Sequence, residues 1–253
     1  MNKYNIKPVT LRRNRIMVFD TETNGLFPKI NLNVNENGEL ELLPAIDKYP
    51  YILQLSYIVY DVKEKKIVEI FNKYIKVSSS VEIPDYISKI NGITHEVIKN
   101  GSSMSIQQAL WFFWRAYKSV DIIVAHNVSF DKKVIEIEVQ RNSKSFMHNP
   151  SVYFMFNDTF NRRNGISVVC SMEMSKNYCN ILIERKSNTL DNDETDTDNK
   201  PKLYKKPPKL EELHEKLFGY KPENLHDAMA DTYACLRCYL KLQFEIELEE
   251  VAV

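Results

Sequence analysis

The chain has 253 residues, 43% of them apolar and 27% charged, enough to bury a core without disulfide staples. Lys plus Arg and Asp plus Glu balance at 34 each, so no overall field draws in a polyanion, and any nucleic-acid contact must come from local basic patches. The start MNKYNIKPVTLRRNR has no continuous apolar run and the most apolar stretch, ALWFFW, stops at Arg115, so neither a secretory signal nor a membrane span is expected. A soluble intracellular protein is the resulting expectation. Cys170, Cys179, Cys235 and Cys238 are too few for a disulfide scaffold. Cys235 and Cys238 form a CxxC inside an apolar-periodic run, and Cys170 and Cys179 lack a tight ligand turn, so all four read as packed cysteines rather than zinc ligands.

Along the chain, RIMVFDT (15–21) is a short β-branched run that reads as a buried strand ending at Asp20 to Glu22, with TNGLFP as turn punctuation. Residues 29–49 carry an Asn37-Gly38 pair and no sustained period, and read as an inserted loop or small hairpin. YILQLSYIVYD (51–61) and KIVEIFNKYIKV (66–77) form an antiparallel hairpin across the charged turn VKEKK. Ser105 and Gln108 make a capping box for a helix whose Ile106, Leu110, Phe113 and Tyr117 recur at helical spacing. DIIVAHN is another buried strand, followed by a helix that Ser129 can cap and whose apolar face includes Val134, Ile137 and Val139. ISVVCSM (166–172) reads as a strand. The acidic NTLDNDETDTDNK (188–200) and the basic KLYKKPPK after it read as loop, within a surface insertion over about 176–208. Two helices close the chain, KLEELHEKLFG with Gly219 as its stop, and the run from HDAMAD onward. Strands first as a meander and then alternating with helices imply an α/β fold, a mixed β-sheet flanked by helices, in one domain over residues 10–248.

Asp20 and Glu22 stand two apart on a strand end, so both carboxylates face one side of the sheet. Such a pair is often just two solvated acids. Here the preceding strand is wholly apolar, where unpaired charge is costly and a divalent cation compensates it. Asp131 in AHNVSFD begins a helix after another apolar strand, and Asp231 in LHDAMADTYA lies one turn into the terminal helix. Taken singly, these are ordinary helix-start acids. Together, four carboxylates at strand ends and helix starts match the oxygen ligands of Mg²⁺ or Mn²⁺, which accept phosphate oxygens beside them.

The motifs FDTETNGL, AHNVSFD and HDAMAD, in this order, resemble the DEDDh branch of the DEDD (DnaQ-like) 3′→5′ exonuclease superfamily. NGIT (91–94) and KLEELHEKLFG are supporting stretches. A tyrosine stands four residues before the last aspartate in the sister branch; here Asp227 holds that place and His226 stands one earlier, as in the histidine branch. VVCSM replaces the aspartate-threonine pair common in relatives, and the insertions lie outside the common core.

The resemblance implies a ribonuclease H-like sheet and two-metal phosphodiester hydrolysis with two Mg²⁺ or Mn²⁺ as cofactors. By the same resemblance Asp20 bridges the ions, Glu22 and Asp231 serve the nucleophile side, and Asp131 serves the leaving-group side. His226 is the implied general base, because imidazole titrates near neutrality. Five residues are about 500° of helix, so His226 must lie at or before the helix start to share a site with Asp231. Asp227 reads as a helix-start acid, and His126 as structural. Thr23, Gly25, Leu26, Ile93, Asn127 and Phe130 are the expected substrate contacts. Arg12, Arg13, Arg15, Lys205, Lys206 and Lys209 are candidates for tracking phosphates, although each also reads as solvated surface.

The expected partner is nucleic acid, as single-stranded DNA or RNA 3′ ends, without a membrane. A homodimer, or association with a replication or repair complex, is left open. No polymerase or helicase motif and no second domain is recognised. An RNA-trimming exoribonuclease of the same family is the alternative within enzymes. A catalytically silent binding module would be expected to have lost an acid or the histidine.

Overall fold

A computed structural model describes residues 1–29, 44–184 and 203–249. In chain order these form β1 (Arg15–Thr23), β2 (Ile52–Asp61), β3 (Lys66–Ile75), α1 (Asp85–Asn91), α2 (His95–Asn100), β4 (Ser103–Met104), α3 (Ile106–Tyr117) and β5 (Ile122–Ala125). They continue with α4 (Val128–Arg141), α5 (Asp158–Asn164), β6 (Ser167–Cys170), α6 (Ser171–Cys179), β7 (Ile181–Glu184), β8 (Leu203–Lys206), α7 (Leu210–Phe218) and α8 (Ala228–Phe244). The main sheet runs β4-β3-β2-β1-β5-β6, antiparallel where β2 meets β1 and β3 and parallel elsewhere, the mixed α/β sheet the sequence implies.

β1 is apolar on both sides because helices cover both of its faces. Met17 and Phe19 pack with Phe113, Ile135 and Val139 of α3 and α4, while Ile16 and Val18 pack with Leu236 and Leu240 of α8. The same alternation sends Asp20 and Glu22 to the α8 side and Thr21 to the α4 side. β5 pairs with β1 at Ile16, Met17 and Val18 and ends at Ala125. The end of β1 therefore stands beyond its parallel neighbour, next to the starts of α4 and α8. This is the crevice at strand carboxyl ends where open α/β sheets bind ligands.

A buried ion pair fastens the stretch before β2 to α4. Glu138, 3% exposed, pairs with Arg141 and accepts the Ile52 N–H at 3.3 Å. Arg141 Nη2 donates to the carbonyls of Ile46 and Tyr49, each at 3.0 Å, and its guanidinium lies 3.7 Å from the Tyr51 ring centroid. Residues Ile46–Lys48 make a 3-10 turn there, whereas the Asn37-Gly38 hairpin lies outside the described residues.

Several expectations change. Asn127, in the left-handed region at φ 69°, holds the N-cap position of α4 without a side-chain cap bond, and Ser129 lies in the first turn, its hydroxyl donating to Asn127 Oδ1 at 3.0 Å. The strand expected over 166–172 is Ser167–Cys170, and Ser171 already opens α6. KLYKKPPK is not all loop, because Leu203–Lys206 pairs antiparallel with Ile181–Glu184. Each strand is four residues long and its partner is remote in sequence, so neither has a local period to read. The acidic 188–200 stretch lies outside the described residues. Residues before 10 also join the fold, since the Asn2 amide donates to the Leu242 carbonyl and Gln243 Nε2 to that of Lys7 at 2.8 Å. The capping box at Ser105 and Gln108 and the left-handed stop at Gly219, φ 86°, form as expected.

Arg141→Ala would leave Glu138 charged and unpaired inside the protein. Its urea midpoint should fall by an amount equivalent to about 3–5 kcal/mol with the slope unchanged; an unchanged midpoint would show the pair to be idle.

Candidate active site

Asp20 and Glu22 project from the end of β1 and Asp231 from the first turn of α8. Their ligand oxygens all lie within 4.8 Å of one another, a compact set among the described residues. Asp231 Oδ2 accepts the His226 N–H at 3.2 Å, while Asp231 Oδ1 is buried without a hydrogen-bond partner. An orphaned buried carboxylate oxygen facing two further carboxylates suits a divalent cation. The donors are all oxygen, which favours a hard ion over zinc.

Asp131 stands outside that set. It comes from α4 on the other side of the sheet, is 3% exposed, and its Oδ1 accepts the Thr21 hydroxyl at 2.6 Å and the Thr21 N–H at 3.1 Å. It remains electrically part of the site, because its charge helps to push up the Asp20 pKa. Burial first, and then the neighbouring carboxylates, hold Asp20 well above the ordinary aspartate range. Burial and Asp231 push Glu22 up to about 8. Burial, against the opposing Thr21 bonds, brings Asp131 to about 7. Asp231 rises to about 6, again through burial, with the His226 N–H and imidazole pulling the other way.

His226 lies just before the N-cap of α8, exposed and in the left-handed region at φ 72°. Asp227 is the N-cap itself. Its Oδ1 accepts the N–H groups of Met229 and Ala230 at 2.9 and 3.1 Å, and its Oδ2 accepts Gln54 Nε2 at 2.8 Å. Both oxygens are thus committed to holding the helix start, as expected of a helix-start acid.

Thr23 is buried and donates to the Gly25 carbonyl at 2.7 Å, and Leu26 beyond it is 78% exposed. A Cβ on Gly25 would meet nothing within 4 Å, so open space adjoins the backbone there. Phe130 packs on Phe27 with ring centroids 5.0 Å apart. Ile93 is a correction: at 1% exposure it packs with Leu53 and Ile98 and has no free surface to wedge against a base. Its neighbour Asn91 is the member of NGIT at the site, donating to Glu22 Oε2 at 3.4 Å. Gly92 adopts φ 71° and Thr94 caps α2, which accounts for the rest of that motif.

Most of the basic candidates have other work. Arg13 pairs with Asp121 at 3.3 Å and Arg15 with Asp61 at 3.7 Å, and Arg15 begins β1, about 17–23 Å along the strand from the acids. Lys206 pairs with Glu212 at 2.7 Å, Lys209 with Glu211 at 3.8 Å, and Lys205 donates to Asn177 at 3.3 Å. Arg12 packs beside Gly165, where a Cβ would lie 3.1 Å from its guanidinium. His126 is structural, as expected, bridging Ser171 Oγ and the Pro208 carbonyl, each at 3.0 Å, and burial lowers its pKa to about 4. All four cysteines are free thiols, three of them buried. No described helix is long and apolar enough to cross a membrane.

A family model described as exonuclease, of the RNase T type, matches residues 17–239, from the β1 core to the middle of α8. The chain belongs to the RNase T exonuclease family. This agrees with the DEDD resemblance. No curated protein matches the chain by sequence. Among solved structures it resembles E. coli exonuclease I in complex with a dA16 oligonucleotide, at TM-score 0.56 and 18% identity over 92% of this chain and 41% of that one. The zinc-bound form of the E. coli exonuclease I complex with single-stranded DNA gives TM-score 0.56 and 18% identity over 91% and 41%. Exonuclease I from Methylocaldum szegediense gives TM-score 0.56 and 17% identity, also over 91% and 41%. These likenesses carry the ribonuclease H-like fold, and the chain spans about 41% of the length of those exonucleases.

Sequence reasoning missed Thr21, Gln54 and Asn91. Gln54 and Ser56 do carry a signal, as isolated polar residues inside the apolar run of β2. Raised carboxylate pKa values mean that the folded, cation-free chain binds more protons than the unfolded one. Its stability must therefore fall as pH climbs from the ordinary carboxylate range through about 6 to about 8. The melting temperature in EDTA should drop between about pH 5 and about pH 8.5, and Mg²⁺ or Mn²⁺ should raise it more at the higher pH. A cation effect independent of pH would mean that these acids are not its binding site.

Proposed function

We propose that the chain is a metal-dependent 3′→5′ exonuclease that releases nucleoside 5′-monophosphates from single-stranded or frayed nucleic-acid ends. The observation that carries this reading is the Asp20, Glu22 and Asp231 cluster, with its unpartnered Asp231 oxygen, beside an exposed histidine. Two divalent cations, when bound, make the attacking water more acidic and neutralise charge on the leaving 3′-oxygen.

Asp20, Glu22 and Asp231 would hold the cations that make the attacking water acidic, and Asp131, through the oxygen that Thr21 does not engage, would serve the leaving-group side. His226 takes the proton from the attacking water, and its exposure lets it pass that proton to solvent. The His226 N–H steadies Asp231 while leaving the imidazole free to act. Thr23, Gly25, Leu26, Asn127 and Phe130 line the terminal nucleotide, with open space at Gly25 for its sugar and an aromatic face at Phe130. The E. coli exonuclease I complexes hold dA16 and single-stranded DNA, so DNA is the first substrate to test and RNA the second. Association with a second copy or with a replication or repair complex stays part of this proposal.

A 5′-labelled single strand in Mg²⁺ should shorten stepwise from its 3′ end, and a covalently closed circle should survive. Rapid cutting of the circle by pure protein would overturn the exonuclease reading.

Asp20→Asn and Asp231→Asn should abolish turnover and weaken Mn²⁺ binding. His226→Ala keeps the backbone N–H and the acids, so Mn²⁺ binding by calorimetry should persist while the rate falls by about 10²–10⁴ at neutral pH and recovers as pH rises. Loss of metal affinity in His226→Ala equal to that in Asp231→Asn would make His226 a ligand instead.

A further inference from the structure

Gln54 and Ser56 are buried polar residues inside the otherwise apolar and aromatic run of β2. The register of β1 and β2 sets Gln54 opposite Glu22 and Ser56 opposite Asp20. Directly opposed residues of an antiparallel pair share a face, so both lie on the α8 side with the acids. There they meet the start of α8. Gln54 Nε2 donates to Asp227 Oδ2 at 2.8 Å, Gln54 Oε1 accepts the Ala228 N–H at 3.3 Å, and Ser56 Oγ donates to Met229 Sδ at 3.1 Å.

Gln54 commits its whole amide, because Nε2 also donates to Asn72 Oδ1 of β3 at 3.0 Å. The Asp227 carboxylate can only accept and the Ala228 N–H can only donate, which fixes the end of the amide that faces each. Ala228 is 0% exposed, and its N–H, the first of α8, has no acceptor within the helix. Without Gln54 Oε1 this first turn must shift to find another acceptor. His226, two residues earlier in the left-handed region at φ 72°, stands on neither strand nor helix and would shift with it. Asp231 would stay, because Tyr233, Leu236 and Leu240 anchor the body of α8 against Ile16 and Val18.

We propose that Gln54 is a positioning residue for the hydrolytic reaction, fixing the first turn of α8 above the acids of β1 and thereby the place of His226. The inference rests on the proposed function, in which His226 takes the proton from the attacking water. Gln54 touches neither water nor cation, and acts only through the angle at which the turn before α8 presents the imidazole.

The test is steady-state hydrolysis of a 5′-labelled oligothymidylate in Mg²⁺, beside Mn²⁺ calorimetry and circular dichroism melts on each variant. Gln54→Met keeps the length and loses every bond. Its kcat should fall about a hundredfold, the scale of a misplaced catalytic group, while KM and Mn²⁺ affinity stay at the wild-type values. In a His226→Ala background the same change should cost almost nothing more, since residues that act through one group are not additive. A full second loss there, or a loss of Mn²⁺ affinity as large as the loss of kcat, would overturn the inference.

A second pair of variants answers the question should Gln54→Met not fold. Gln54→Glu still accepts the Ala228 N–H but sets two carboxylates face to face, and Asp227→Asn alone sets amide donors face to face. Each should lower kcat. Together they restore the bond with donor and acceptor exchanged, at unchanged net charge, and Asn caps a helix as well as Asp. The double variant should recover most of the lost kcat; one no better than its single parents overturns the inference. A wild type that hydrolyses and depends on His226 but is indifferent to Gln54 leaves the proposed function standing and removes this role. A wild type that does not hydrolyse at all removes both.

Discussion

Carboxylates forced together out of water repel one another, and the active end of this fold is built around that repulsion. Asp20, Glu22 and Asp231 share a space within 4.8 Å, with Asp131 close enough to add to the charge. In water such a group would spread apart. Here β1 is locked between β2 and β5 and α8 is locked on the sheet, so the acids can only take up protons or cations. Burial favours the protonated form and a divalent ion favours the charged one. The site is therefore stable in two states that differ in what it holds, and the catalytic state is the one that costs the empty protein stability.

The surroundings resist the repulsion at each acid separately. Thr21 holds Asp131 with two bonds, Asn91 reaches Glu22, and His226 donates its backbone N–H to Asp231. Asp227 and Gln54 tie the start of α8 to β2, so the acid borne by the helix keeps its register with the acids borne by the strand. Ala228 donates to Gln54 Oε1 at 3.3 Å, completing the join. None of these groups needs to touch a substrate. They act by keeping short the distances that electrostatics would lengthen.

What could be read from the sequence follows from how local each signal is. Asp20 and Glu22 were legible because strand alternation over two residues fixes their common side, and Ser105 with Gln108 because a capping box is complete within four residues. The place of His226 before α8 follows from helix arithmetic once the resemblance puts it in one site with Asp231. Thr21 was invisible in its role, because its partner Asp131 is 110 residues away and the bond exists only once α4 is seated. Ile93 and Asn91 were exchanged for a similar reason: NGIT marks the place, but which member points to the site depends on the turn at Gly92 and on the apolar pocket of Leu53 and Ile98. β8, within KLYKKPPK, reads as loop because its stability comes from its partner β7 and not from its own composition.

A neutral protein that gathers its acids at one point must still admit a polyanion there. Arg13, Arg15, Lys206 and Lys209, the basic candidates of the sequence, already have acidic partners within the chain. Substrate approach is then governed by what stands immediately beside the acids: bound cations, which reverse the sign of the site, and Lys133 above Phe27. Under the proposed function, cations held by Asp20, Glu22 and Asp231 would invert the local charge, so metal binding and the approach of a phosphate would be coupled by electrostatics.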